Sequence, residues 1–181
     1  MEILKPEMQQ IRKRNIIEKA SGNIVVLLTL LILASCGNNK LVDSYETMPD
    51  NQWAEESVAA FSFEITETAN TYDVYFTIKN GIDYPFHNLY VDYQVLRIDG
   101  ETETVVEKGL KEYMLFDPKT GKPYGSGSSG WYDHEFLIDS NYRFDEAGSY
   151  EIRFQQYMRK ESLISVATVG FALATHQPDD D

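Results

Sequence analysis

Cysteine is almost missing from this chain of 181 residues: Cys36 stands alone, so no intrachain disulfide can form and stability must come from a packed core. Histidine is nearly as scarce. His87, His134 and His176 lie in separate segments with no second ligand two to four residues away, which leaves no recognisable zinc spacing. His134, within Trp131-Tyr132-Asp133-His134-Glu135, is the most suggestive of the three, but it reads more simply as a polar position at the start of a strand. The chain also lacks a Gly-x-Ser-x-Gly elbow and a phosphate-binding glycine loop. Adjacent carboxylates such as Glu55-Glu56, or Asp133 near Glu135, are too common in so acidic a chain to mark a glycosidase. These absences argue against an enzyme, against a metal and against a cofactor, and they leave no catalytic residue to nominate. Basic residues are few as well. With 16 Lys and Arg against 29 Asp and Glu, the net charge is −13, a balance that repels nucleic acid and anionic headgroups. A membrane-spanning run is also lacking, because the apolar stretch from Ile24 to Leu33 is half of the roughly 20 residues that a helical span needs.

What that stretch does have is the right surroundings for a signal peptide. Arg12, Lys13, Arg14 and Lys19 precede it as a positive n-region, and Leu33-Ala34-Ser35-Cys36 follows it as a lipobox whose small residues admit a signal peptidase. Met8 is an equally good start. Cys36 then becomes the first mature residue and the lipid attachment site, with its sulfur diacylated and its amine acylated as well. Two or three acyl chains anchor stably, so the exported part is held to a membrane without spanning it. Removing residues 1–35 takes away five basic and three acidic residues, leaving 146 residues with 11 basic against 26 acidic, a net of −15. Their attachment to a bilayer must come from the lipid, and their length suits one domain.

From Ser57 onward the hydrophobic period is two, the signature of half-buried strands. Ala59, Phe61, Phe63 and Ile65 share one face; Tyr72, Val74, Phe76 and Ile78 share another before the turn dipeptide Asn80-Gly81; Leu89, Val91, Tyr93 and Val95 form a third row. Further strands are expected near 104–116, 131–138, 150–158 and 164–173. In the last, Ile164 and Val166 change parity to Val169, Phe171 and Leu173, which predicts a bulge around Ala167-Thr168. No sustained helical stripe follows Cys36. About seven strands divided by turn residues predict an all-β fold, a two-sheet antiparallel β-sandwich of immunoglobulin-like or jelly-roll-like order. The expected organisation is a signal peptide at 1–35, lipidated cysteine and irregular tether at 36–52, the sandwich at 53–176 and an acidic, frayed tail at 177–181. A tether of that length reaches roughly 50 Å when extended. Asp117-Pro118-Lys119-Thr120-Gly121 reads as a turn, and residues 125–130, Gly-Ser-Gly-Ser-Ser-Gly, as a mobile loop.

All 23 aromatic residues, 12 Tyr, 9 Phe and 2 Trp, follow the leader. Most suit strand packing, while Tyr75 and Tyr157 fall on the polar faces of their strands, where an exposed ring can hold glycan or peptide. The segment Asp83-Tyr84-Pro85-Phe86-His87-Asn88-Leu89 is the most distinctive loop. Pro85 forces Tyr84 towards extended geometry, and Asp83 and Asn88 can tie the loop ends by side-chain bonds to the backbone. Tyr84, Phe86 and Asn88 there, with Met158 and Arg159 at a later strand end, are the candidate partner-binding residues; the same rings could equally cap the sandwich.

Taken in order, the lipobox at Cys36, Trp53, Phe61-Ser62-Phe63-Glu64-Ile65-Thr66, Asp83-Tyr84-Pro85-Phe86 and Asn88-Leu89-Tyr90 resemble the gliding-motility lipoprotein GldH family of the Bacteroidota. Gly125 and Gly127, Gly148-Ser149-Tyr150, Tyr157-Met158-Arg159 and Val169-Gly170-Phe171 continue the resemblance across nearly the whole mature chain. Thr168 departs from it, since similar sequences tend to have an acidic residue there. The resemblance implies an outer-membrane lipoprotein, expected on the periplasmic face, that serves gliding and the associated type IX secretion apparatus as an assembly factor without known catalysis. Its implied partners are other envelope proteins of that machinery.

Overall fold

The computed structural model describes residues 40–177; the leader, Cys36, residues 37–39 and residues 178–181 lie outside the described residues. The alternation of the sequence becomes strand after strand: β1 (Lys40–Thr47), β2 (Gln52–Ala54), β3 (Ala59–Ile65), β4 (Tyr72–Gly81), β5 (Asn88–Asp99), β6 (Thr102–Met114), β7 (Ser126–Ser128), β8 (Trp131–Tyr142), β9 (Gly148–Gln156), β10 (Ser162–Ile164) and β11 (Val166–Thr175). In β3 every second residue, from Ala59 to Ile65, is buried and the residues between are exposed, as a strand with one wet face requires. β4 and β9 repeat the pattern.

Two antiparallel sheets pack face to face. One has the order β1-β11-β4-β8-β7 and the other β3-β9-β5-β6, with a small β10-β2 pair beside them. The pairing is nested: β1 with β11, β2 with β10, β3 with β9, β4 with β8 and β5 with β6. A single long hairpin, turning between Asp99 and Thr102 and folded over on itself, produces that list, which is the connectivity of a jelly roll. Of the two sandwich orders open to the sequence, this is the one adopted.

Aromatic rings hold the sheets together. Phe171 on β11 meets Phe63 and Phe61 on β3 at 5.0 and 6.3 Å between ring centroids, and Phe76 on β4 meets Phe154 on β9 at 5.0 Å. Phe76 also stacks on Tyr113 of β6 at 5.1 Å, which stacks in turn on Phe136 of β8 at 4.6 Å. Offset and edge contacts of this kind add about 0.5–1.5 kcal/mol per pair beyond burial.

Three expectations need correction. Residues 40–47 are not tether: they form the edge strand β1, held by its ladder to β11 rather than by burial, since most of its side chains are exposed. The sandwich therefore begins at Lys40, not Trp53. Residues 126–128 are not a mobile loop either; they pair with Ser128 against Trp131 and Ser126 against Asp133. Glycine is required there because a Cβ on Gly127 would lie 2.1 Å from the Trp131 carbonyl oxygen. Finally, the β5–β6 ladder shifts register between Val95 and Leu96, where Val106 of β6 is the extra residue, while β5 runs unbroken against β9; the alternation of the sequence does not show this bulge. The predicted irregularity in the last strand is present, between Val166 and Thr168.

The strands run between two ends. At the entry end lie the start of β1, the β3–β4 and β8–β9 connections and the β5–β6 turn; at the far end lie residues 48–58, 82–87, 115–130 and 157–165.

Candidate functional site

The far end gathers the segments nominated from sequence. Tyr157 donates its backbone N–H to the Tyr90 carbonyl at 2.8 Å, and the Tyr90 N–H points back at the Met158 sulfur at 3.2 Å. Residues 84–90 and 157–159 are thus one structural unit, joined through Tyr90. Its conformation is set by Gln156, a side chain only 1% exposed that sequence reasoning passed over. The Gln156 amide donates to the Lys160 carbonyl at 2.6 Å and its oxygen accepts from the Met158 N–H at 2.9 Å, clamping the turn from both sides. Polar residues inside a strand that ends in a turn are the signal that could have found it.

The five candidates have unequal roles. Tyr84 is buried, and its hydroxyl donates to the Asn88 carbonyl at 3.1 Å, so it is a strut of the loop. Burial pushes its phenol well above the ordinary tyrosine range. Asn88 does not tie the loop backbone as its sequence context suggested; its amide donates to Glu112 on β6 at 2.6 Å, while Tyr84 does the tying. Phe86 is half-buried against the core and meets Tyr84 edge-on at 5.9 Å. Met158 is also half-buried and packs on the core. Arg159 is exposed, in left-handed backbone with φ 54°.

A cleft of about 500 Å³ opens beside this unit, lined by Ile82, Pro85, Phe86, Phe116 and Pro118. Its rim is rigid. Asp117 accepts hydrogen bonds from the Lys119 and Thr120 N–H groups at 2.9 and 2.7 Å and from the Thr120 hydroxyl, forming the turn expected of that segment. Those donors hold the Asp117 carboxyl below the usual carboxylate range. Exposed apolar side chains cluster here: Val58, Ile82, Tyr124, Tyr157 and Ile164 are each between 44% and 58% exposed. The entry end differs. Among the described residues its three connections carry no large exposed hydrophobic and are rich in acid, with Glu67, Glu101, Asp145 and Glu146, the last paired with Arg97 at 2.8 Å, although Leu41 at the start of β1 is exposed.

His134 has no place in this surface. It is 6% exposed, its ring stacks on Phe136 at 5.6 Å, and its Nε2 has no hydrogen-bond partner. Burial lowers its pKa, against a smaller opposing pull from Asp133, so the imidazole is neutral at physiological pH. Among the described residues no three His, Cys, Asp or Glu side chains converge as a metal site. Tyr75 and Tyr157 do not form one tyrosine row: Tyr75 is half-buried on the outer face of the β1-β11-β4-β8-β7 sheet, and Tyr157 is exposed at the far end.

The structure has a TM-score of 0.37 and 13% identity to the infectious bursal disease virus VP2 subviral particle, covering 76% of this chain and 34% of that one, which is too distant to carry an argument. Relatives are nearer in sequence. The chain is 26% identical over 156 residues to a gliding motility lipoprotein GldH homolog of Christiangramia forsetii, covering 82% of this chain and 92% of that protein. It is 24% identical over 162 residues to gliding motility lipoprotein GldH of Flavobacterium johnsoniae, covering 86% and 96%. The GldH lipoprotein family profile matches residues 40–173, beginning at the first residue of β1 and ending within β11. By that match, over most of its length, the chain belongs to the GldH lipoprotein family.

Proposed function

We infer that this chain is a non-enzymatic assembly component of the gliding and type IX secretion machinery, held to the periplasmic face of the outer membrane by acylated Cys36. It docks other envelope proteins of that machinery at its far end. The observation that carries this reading is the difference between the two ends. The sandwich starts at Lys40, only four residues after Cys36, so the lipid tether reaches about 14 Å even when extended. A domain on so short a lead turns its entry end to the bilayer and its far end away. The connections at the entry end are acidic, so they gain nothing from anionic headgroups and leave attachment to the acyl chains. The far end carries exposed apolar side chains around a rigid cleft, the composition of a protein-docking surface.

The test is chromosomal replacement with an Ile82→Asp, Tyr157→Asp double variant, beside Cys36→Ser. Both substituted side chains of the double variant are about half exposed, so its abundance and melting temperature should match the wild type. The expected result is loss of gliding, loss of type IX export and loss of crosslinks to gliding or secretion envelope proteins. Normal motility and export in the double variant would count against docking at the far end.

A further inference from the structure

The outer face of the β1-β11-β4-β8-β7 sheet holds a second concave site, away from the far-end cleft. Its register sets Tyr45 on β1 beside Gly170 on β11, Gly170 beside Thr77 on β4, and Thr77 beside Glu135 on β8. Gly170 is buried beneath the Thr77 hydroxyl and lets it lie over β11, because a Cβ there would sit 2.3 Å from that hydroxyl and 2.7 Å from the Ser44 carbonyl. Beside them opens a cleft of about 370 Å³, within the range of small-ligand sites. Its lining includes hydroxyls from Tyr45, Thr77 and Thr168, carboxylates from Asp43, Asp133 and Glu135, and the edge of His134, whose Nε2 has no partner. Tyr45 forms an aromatic wall that is 71% exposed.

The chemistry of that lining selects its occupant. An apolar peptide would displace water from the hydroxyls and carboxylates facing it and offer them no new hydrogen bond. An anionic polymer would meet three carboxylates. A cationic guest gains little, because the site's own lysines already lie on those groups: Lys79 bonds Asp133 at 3.2 Å, and Lys40 reaches both Asp43, at 3.4 Å, and Glu135. A neutral polyol meets none of these objections. Its hydroxyls donate to the carboxylates and accept from the lysines, and its apolar C–H face lies on the Tyr45 ring. We propose that this cleft is a binding site for a neutral oligosaccharide, with Tyr45 as stacking platform and Asp43, Asp133 and Glu135 as hydroxyl acceptors. The site is independent of whichever protein docks at the far end.

The full-length lipoprotein, purified in a detergent without sugar headgroups, is tested on an array of neutral hexose and N-acetylhexosamine oligomers alongside uronic-acid oligomers, and hits are titrated by calorimetry. Binding to a neutral oligomer is expected. Tyr45→Ala and Glu135→Gln should each weaken it about ten-fold or more, while Tyr157→Ala at the far end leaves it unchanged. Affinity should change by less than about two-fold on raising the salt ten-fold, since no net charge is exchanged. The proposal is overturned if no neutral oligomer binds, if uronic acids bind as well as neutral sugars, if Tyr45→Ala binds like the wild type, or if affinity falls steeply with salt. Tyr45 and Glu135 are exposed, and circular dichroism of each variant confirms that the fold is intact before titration.

Discussion

Trp53 is the residue whose replacement tests the architecture most directly. It is fully buried, its partner across the β2–β10 pair is the equally buried Leu163, and its ring stacks on Phe76 at 6.4 Å. Its indole N–H also donates to the Ser57 carbonyl at 2.9 Å. Trp53→Ala removes the whole ring from a site walled by two sheets that cannot both collapse, which costs about 3–5 kcal/mol. Against a domain stability of about 5–15 kcal/mol, that is a large fraction of the total. Trp53→Phe keeps most of the packing but leaves the Ser57 carbonyl short of its donor, so a loss of about 1–3 kcal/mol is expected. Urea unfolding of the full-length chain, followed by far-ultraviolet circular dichroism, measures both. With a slope of about 2 kcal/mol per molar, the alanine variant should shift the midpoint down by about 2 M and the phenylalanine variant by about 0.5–1.5 M. Equal losses in the two variants, or a loss under about 1 kcal/mol in Trp53→Ala, would refute the claim that this ring joins the accessory pair to the core.

Other perturbations follow from single contacts. The His134 imidazole titrates below its ordinary value in the fold because it is buried, so the unfolded chain binds the proton first as pH falls. Stability should therefore be complete above about pH 6.5 and decline below it, and His134→Leu should flatten that decline in melting temperatures taken between about pH 7 and 5. Gly127→Ala drives a Cβ into the Trp131 carbonyl and should release β7 alone, seen as faster amide exchange at 126–128 with the rest of the sheet protected. Tyr84→Phe removes the hydroxyl that holds the Asn88 carbonyl and should cost about 1 kcal/mol in urea unfolding while raising exchange in residues 85–89.

The legible part of this fold is the part in which side-chain burial does the specifying. Phe61, Phe63, Tyr72, Phe76, Ile152 and Phe154 alternate in sequence because they alternate between core and solvent, so β3, β4 and β9 could be read directly. β1 and β7 could not, because both are edge strands whose side chains stay wet and whose specification lies in ladder hydrogen bonds to β11 and β8. The far-end unit was legible as a set of positions, since 84–88 and 157–159 do converge, but not as a set of roles. Tyr84 and Asn88 had the right chemistry for exposure, yet Tyr84 closes its own loop on the Asn88 carbonyl and Asn88 finds Glu112 only through the β5–β6 pairing. The outer-face cleft was hidden for the same reason. Tyr45, Gly170, Thr77 and Glu135 lie far apart in sequence and are neighbours only through three strand registers.

Nested pairing also decides when this domain can exist. β11 is the last strand made, yet it lies between β1 and β4 in its sheet, and Phe171 on it supplies the ring that meets Phe61 and Phe63 across the core. Before Val166–Thr175 arrives, β1 has no partner and the facing sheet has no cover over β3. Long-range pairing of this kind gains no contacts until its loop-closure entropy has been met, so partial chains stay open. A chain ending at Ser165 should accordingly be unfolded by circular dichroism and rapidly degraded, and supplying residues 166–177 as a separate peptide should restore the sandwich signal. Native-like unfolding of the truncated chain on its own would show that β4 and β8 form a stable sheet without their central neighbour, contrary to the nested scheme.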